Sequence, residues 1–394
     1  MRLWIGTSSC LAALATLSAC SGPSDGSLSE SGTSGEPSSQ SDLPSESTEP
    51  TNPTGNDDPD LGSESESGTD SDSDSDSGFD PDDLPADTGA EPEPNPQTLC
   101  ESGFYSDCDE QVLAPGVLEF STAYTLWSDG AEKRRYIQIP PGTQIDSSDM
   151  DFWEYPPGTK LWKEFFRDGI RIETRLLYKK FDTGNWFSIA YAWNEEQTEA
   201  VSAPLGIQNA LGTDHDIPGF NVCKTCHQQQ PDIVLGFSAI MLSHDQGGVT
   251  LQSLIDNDQL TDPPINPNTP IYGVPGEGSP AQAALGYLHA NCGGCHHEQS
   301  AIFNDTPLNL RLSVNSLTTV EETALYQSTV DIAPVQASAG MNAHVVPGDP
   351  STSELHARME NRAVEAKPMP PVGTEDVDVT GIAFIDAWIS SIAP

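Results

Sequence analysis

The chain has 394 residues and a net charge of −44, from 60 acidic and 16 basic side chains. A polyanion of this size does not bind nucleic acid or an anionic membrane surface through its own field. No apolar run reaches the roughly 18 residues that a bilayer-spanning helix needs, so composition excludes a nucleic-acid-binding protein and a helical integral membrane protein.

Met1-Arg2 is a short positive start, followed by a mostly apolar stretch over residues 4–17 and by Leu17-Ser18-Ala19-Cys20. This order of charge, apolar run and small residues is that of an export signal over residues 1–20. Leu-Ser-Ala-Cys also resembles the bacterial lipoprotein processing motif, which implies that Cys20 is acylated; an ordinary cleaved signal is the alternative. Residues 21–98 are Ser, Gly, Pro, Asp, Glu and Thr, with 21 acidic residues and no Lys or Arg. So little apolar surface cannot offset chain entropy, and like charges repel, which predicts a disordered, extended tether. Its Ser-Asp run, residues 71–77, lacks the Gly turn and closing Glu of an EF-hand loop.

Residues 99–202 read as an all-β, sandwich-like module. Residues 137–140, 171–178 and 186–193 have strand character and are punctuated by Pro-Pro-Gly turns at 140–142 and 156–158. The segment holds Trp127, Trp153, Trp162, Trp186 and Trp193, read as sandwich core or as a stacking platform for sugars or a quinone. Lys133-Arg134-Arg135 reads as solvated edge-strand charge that discourages strand pairing, or as a dock for an acidic partner or the tether. Cys100 and Cys108, in an exported chain where thiols oxidise, read as a disulfide closing a small loop, with free thiols the alternative.

Cys223-Lys224-Thr225-Cys226-His227 and Cys292-Gly293-Gly294-Cys295-His296 are two copies of Cys-x-x-Cys-His. This spacing is that of c-type haem attachment. Two thiols add to the vinyl groups along one porphyrin edge, and the next residue reaches the iron with an imidazole nitrogen. A structural zinc on four thiolates would leave both following histidines unexplained. A thioredoxin-like pair would place one motif at a helix N-terminus after a strand. The sequence therefore predicts two covalently bound haem c groups, one on Cys223 and Cys226 with His227, the other on Cys292 and Cys295 with His296.

For the first iron, His215 precedes a proline turn (Ile217-Pro218-Gly219) that could fold it back as sixth ligand. Met241 and His244 are the other candidates, and an open or water-ligated iron is the remaining reading. His289, His297, His344 and His356 read as surface or packing residues, with His297 facing away from its neighbour's ligand.

Residues 281–290 and 380–392 have helical character, and between them lies Lys367-Pro368-Met369-Pro370-Pro371. This resembles the class I cytochrome c domain, in which a helix runs into the haem motif and a C-terminal helix crosses it. The resemblance implies Met369 as distal ligand of the second iron, with Gly286, Tyr287 and Trp388 at the helix crossing. A gap-filling Met369, with Met341 or Met359 on the iron, is the alternative; Met359 reads as part of a helix over 353–362. The expected architecture is thus multidomain: disordered tether, β-rich module, then a mainly α-helical di-haem cytochrome c region with a first haem segment at 203–275 and a second at 276–394.

Thr125-Leu126-Trp127-Ser128-Asp129-Gly130-Ala131-Glu132-Lys133-Arg134-Arg135, Ile172-Glu173-Thr174-Arg175-Leu176, residues 192–200, both Cys-x-x-Cys-His motifs and Val346-Pro347-Gly348-Asp349-Pro350-Ser351 together resemble a family of exported bacterial di-haem cytochrome c proteins. The resemblance runs from about residue 100 to the C-terminus and implies redox carriage. The expected protein is a periplasmic or outer-membrane lipoprotein that passes single electrons between redox partners. Its membrane contact is the lipid anchor, and its acidic surface steers it toward a partner with a basic docking patch. Two other readings stay open: a di-haem peroxidase-like enzyme with one open iron, and a β binding module with a haem electron-acceptor half. No carboxylate pair or nucleophile constellation is present in the β-rich segment, and no catalytic residue is assigned.

Overall fold

The computed structural model describes residues 92–266, 268, 270–363 and 367–394. The export signal, Cys20 and the tether through residue 91 lie outside the described residues. A two-stranded unit, β1 (Tyr105–Asp107) and β2 (Val112–Leu113), precedes a six-stranded antiparallel sheet. The sheet comprises β3 (Leu118–Phe120), β4 (Glu132–Gln138), β5 (Lys160–Arg167), β6 (Ile170–Lys179), β7 (Trp186–Trp193) and β8 (Ala200–Ser202), paired in chain order. Asp168-Gly169 turns β5 into β6 with positive φ at both residues, 51° and 76°, the backbone that a tight two-residue hairpin requires.

Successive side chains of a strand point to opposite faces, and the two faces here have different covers. On the first, Tyr136, Trp162, Leu176, Tyr178, Tyr191 and Trp193 pack with Leu99, Phe104 and Val117 from the N-terminal segment. That segment is closed by a Cys100–Cys108 disulfide with Cα atoms 5.8 Å apart. It begins before residue 99: Thr98 bridges to Val201, and the Leu99 N–H donates to the Ala200 carbonyl at 2.9 Å. On the second face, Phe120, Ile137 and Leu161 pack with Phe237, Leu242, Leu251 and Leu254 from the chain downstream of the sheet.

The expected fold class needs correction. The described chain is mainly β, 19% helical and 18% strand, and the region after residue 202 is not a mainly α-helical cytochrome. Its helices are α1 (Phe220–His227), α2 (Leu251–Asp256), α3 (Pro280–Asn291), α4 (Ala324–Thr329), α5 (Glu354–Glu360) and α6 (Val379–Ser391), strung on irregular chain. Pro263, Pro264, Pro270 and Pro275 explain one long interruption, since each lacks the N–H a helix interior needs and clashes with the preceding turn. Nor is the sheet half of a sandwich: among the described residues its second face meets this irregular chain, not another sheet. The described residues fall within one compact unit. Lys133-Arg134-Arg135 is not on an edge strand either. Arg135 pairs with Phe120 on one side and Lys163 on the other, and is 8% exposed.

α3 and α6 do cross in the C-terminal core, where Leu285, Leu288, Ile385, Trp388 and Ile389 are buried together. The close approach is at Gly381, whose missing side chain makes room for the Tyr287 ring. Gly286, expected at this crossing, faces the ring of Tyr124 instead.

Candidate functional site

α1 starts at Gly219, where a Cβ would lie 2.9 Å from the Leu205 carbonyl oxygen, and the Phe220 N–H donates to the Pro204 carbonyl at 3.0 Å. These contacts bind the helix to the chain leaving β8. Cys223, Cys226 and His227 stand at i, i+3 and i+4, so they share one helical face. Cys223 and His227 line a cleft, partly open to solvent, against the sheet with Arg135, Lys163, Arg175 and Leu235.

His227 Nδ1 donates to the Ile233 carbonyl at 2.7 Å. A carbonyl only accepts, so Nδ1 carries the proton and Nε2 keeps its lone pair. Burial, helped by the nearby Lys163 charge, lowers the imidazole pKa to about 4 and holds the ring neutral. This is the second-sphere arrangement that orients an iron-ligating histidine. Burial raises the Cys223 thiol.

The second motif continues from the last turn of α3. Cys292 is its C-cap, and the Cys295 and His296 N–H groups donate to the Cys292 carbonyl at 3.0 and 2.9 Å. Gly293 is required there: a Cβ would lie 2.7 Å from the His289 carbonyl oxygen and 2.9 Å from Arg311 Cα. His296 is half-buried, its pKa lowered to about 4 by desolvation and by the neighbouring His344 and His297. Its Nδ1 has no hydrogen-bond partner among the described residues. Burial pushes the Cys292 thiol up to about 12.

The two motifs, remote in sequence, meet. Gln230 Nε2 donates to the Gly294 carbonyl at 2.5 Å, and His297 Nε2 donates to the Gln229 carbonyl at 2.9 Å. Cys226 and Cys295 are close enough to couple, which lowers the Cys226 thiol pKa and raises that of Cys295. Arg311 braces the junction through Nη1 to Gln230 Oε1 at 3.0 Å, a bond to the Asp151 carbonyl, and stacking 4.3 Å from the Phe152 ring centroid. Among the described residues no group of three or more His, Cys, Asp or Glu side chains gathers into a metal-sized site.

The sixth-ligand candidates sit as follows. His215 is buried with Nε2 donating to Glu173 Oε1 at 2.8 Å, beside the Phe165 ring. Met241 is 2% exposed, and His244 Nε2 donates to the Ser121 carbonyl at 3.1 Å. Met369 is half-buried beside the C-terminal end of α5: its N–H donates to the Arg358 carbonyl at 3.0 Å and its carbonyl accepts from Arg362 at 2.8 Å. Met359 is buried in α5 within the C-terminal core, and His356 Nδ1 bonds Asp386 at 2.7 Å. His289 accepts from the Leu312 N–H at 3.0 Å. His297 does not face solvent, being 1% exposed within the junction.

Sequence reasoning missed the sheet's contribution. Arg135, Lys163 and Arg175 stand directly opposite one another on β4, β5 and β6, and Glu173 holds Arg175 at 2.9 and 2.5 Å. A period-of-two reading of residues 160–167 would have put Lys163 in an otherwise apolar row between Leu161 and Phe165.

No family model matches the chain, and neither the curated proteins nor the solved structures compared with it include a match.

Proposed function

We propose that this chain is an exported di-haem c-type cytochrome that carries single electrons between redox partners, anchored by acylation at Cys20. The observation that carries this reading is at His227. Two cysteines and an imidazole share one helical face, and the imidazole's free Nε2 belongs to a neutral ring fixed by a backbone carbonyl. The unpartnered, neutral His296 ring supports the same role at the second motif.

The donor set fits haem c at both places. Cys223, Cys226 and His227 would hold one group over the sheet, and Cys292, Cys295 and His296 the other. When bound, haem supplies an iron that exchanges one electron at a time. The chain's own part is to bond the porphyrin edge, orient the imidazole and limit water. Ile233 orients His227, and the sheet face with Leu235 covers the cleft. Gln230 and Arg311 fix the distance between the two attachment segments.

Mass spectrometry of the mature protein, made with the c-type maturation system, should show two added macrocycles, on the Cys223–Cys226 and Cys292–Cys295 peptides. A reduced spectrum without haem bands would end the reading. Labelling with a palmitate analogue should tag the wild type and not Cys20→Ala.

One observation favours the peroxidase-like alternative: His215 has its Nε2 engaged by Glu173. An iron on His227 that lacks a sixth protein ligand would be open to a small oxidant. Electron paramagnetic resonance of the resting protein separates the two. Low-spin signals from both irons support the carrier, and a high-spin signal with peroxide turnover supports the enzyme.

A further inference from the structure

Like charges directly opposite each other on neighbouring strands destabilise a sheet, yet this sheet carries three such residues in one row. Arg135 pairs with Lys163, and Lys163 pairs with Arg175. All three line the cleft that also contains Cys223 and His227. Glu173 neutralises one of them, through Arg175, and shares its other hydrogen bond with His215. The remaining two make no ion pair among the described residues, although Glu173 lies near enough to favour the Lys163 charge. Arg135 is buried with Nε unpartnered, and the Lys163 ammonium makes no hydrogen bond or ion pair among the described residues.

The other charges facing the row do not help. Lys133 lies one row away on β4, adding positive charge, while α1 contributes the neutral His227 and the Cys223 and Cys226 thiols, whose sulfurs the haem reading turns into uncharged thioethers. The Phe165 ring offers partial relief, with Arg175 Cζ 4.2 Å and the Lys133 and Lys163 ammonium groups each 5.9 Å from its centroid. Burial and the neighbouring cations hold Lys163 well below the usual lysine range. A local rule broken at a cleft, without compensation inside the fold, marks a place arranged for a ligand.

We propose that the Arg135–Lys163–Arg175 row is a carboxylate-binding site that receives the two propionates of the porphyrin held at Cys223 and Cys226. This rests on the haem reading of that motif. The two cations left over after Glu173 match the two negative charges of one porphyrin. Guanidinium and ammonium groups bind carboxylates by short charge-assisted hydrogen bonds. The porphyrin is bonded along its vinyl edge to α1, and the row supplies positive charge across the same cleft.

The test uses the full, matured protein with haem carboxyl carbons enriched in carbon-13 by feeding labelled δ-aminolevulinate. Redox-difference infrared spectra then isolate propionate bands from those of protein carboxylates. Lys163→Gln and Arg135→Gln should each shift the labelled bands of one haem and leave those of the other in place, and Lys163→Arg should restore the wild-type position. Labelled bands unmoved in both glutamine variants, on protein with a macrocycle on the Cys223–Cys226 peptide, overturn the assignment alone. No macrocycle on that peptide overturns it together with the haem reading. Succinate is the probe for a soluble anion in the same row. Calorimetric binding of succinate to the wild type, lost in Lys163→Gln while the labelled bands stay put, also overturns the assignment to propionates.

Discussion

Glu173 shows how a single side chain holds the cleft together. It is fully buried, with Arg175 on both its oxygens and His215 at 2.8 Å. Burial alone would raise its pKa, but Arg175 and the His215 hydrogen bond outweigh that and leave the carboxyl below its usual range. A folded-state pKa below the unfolded value of about 4.3 stabilises the protein above that pH and loses the effect as pH falls through the folded value. Glu173→Gln should therefore cost roughly 3 kcal/mol near neutral pH, the order of breaking a buried pair. The gap between the two proteins should close in acid. Urea unfolding across a pH series measures both, and equal stability at neutral pH would contradict the account.

At the scale of elements, the α3–α6 crossing offers a test with a definite sign. Replacing a helix-interior glycine by alanine usually gains about 1 kcal/mol. At Gly381 the new Cβ would overlap the Tyr287 ring, and overpacking of that kind costs about 1–3 kcal/mol. Gly381→Ala should lower the thermal midpoint, whereas propensity alone would raise it. The helices themselves were legible: α3 and α6 lie within about a residue of the segments read from apolar spacing. β6 and β7 were equally plain, because Arg171 to Tyr178 and Trp186 to Trp193 are rich in strand-forming residues. What covers a strand's apolar face is not written in the strand, so a sandwich was expected where irregular chain supplies the second layer. The Cys-x-x-Cys-His pairs could be read because each lies within five consecutive residues. The row formed by Arg135, Lys163 and Arg175 could not, because it exists only once β4, β5 and β6 are in register.

For the whole molecule, charge is the property most open to measurement. Residues 100–394 carry 39 acidic and 15 basic side chains, and ten of those basic residues lie between 133 and 180. Several of the ten are turned into the protein rather than offered to solvent, so the field seen by an approaching partner is negative. Association with a basic redox partner should slow as ionic strength rises, since screening acts over about 10 Å at 0.1 M salt. A stopped-flow on-rate unaffected by salt would count against electrostatic docking. No helix among the described residues is long and apolar enough to cross a membrane.

The apolar layer in which Phe120, Ile137 and Leu161 meet Phe237, Leu242 and Leu254 belongs to neither half of the chain alone. Severing the polypeptide near residue 202 would wet both sides of it at once, so neither fragment should survive as a tractable reagent. Heat or denaturant should melt sheet and attachment segments together, and the strands have no prospect of being lent to another protein as a cassette.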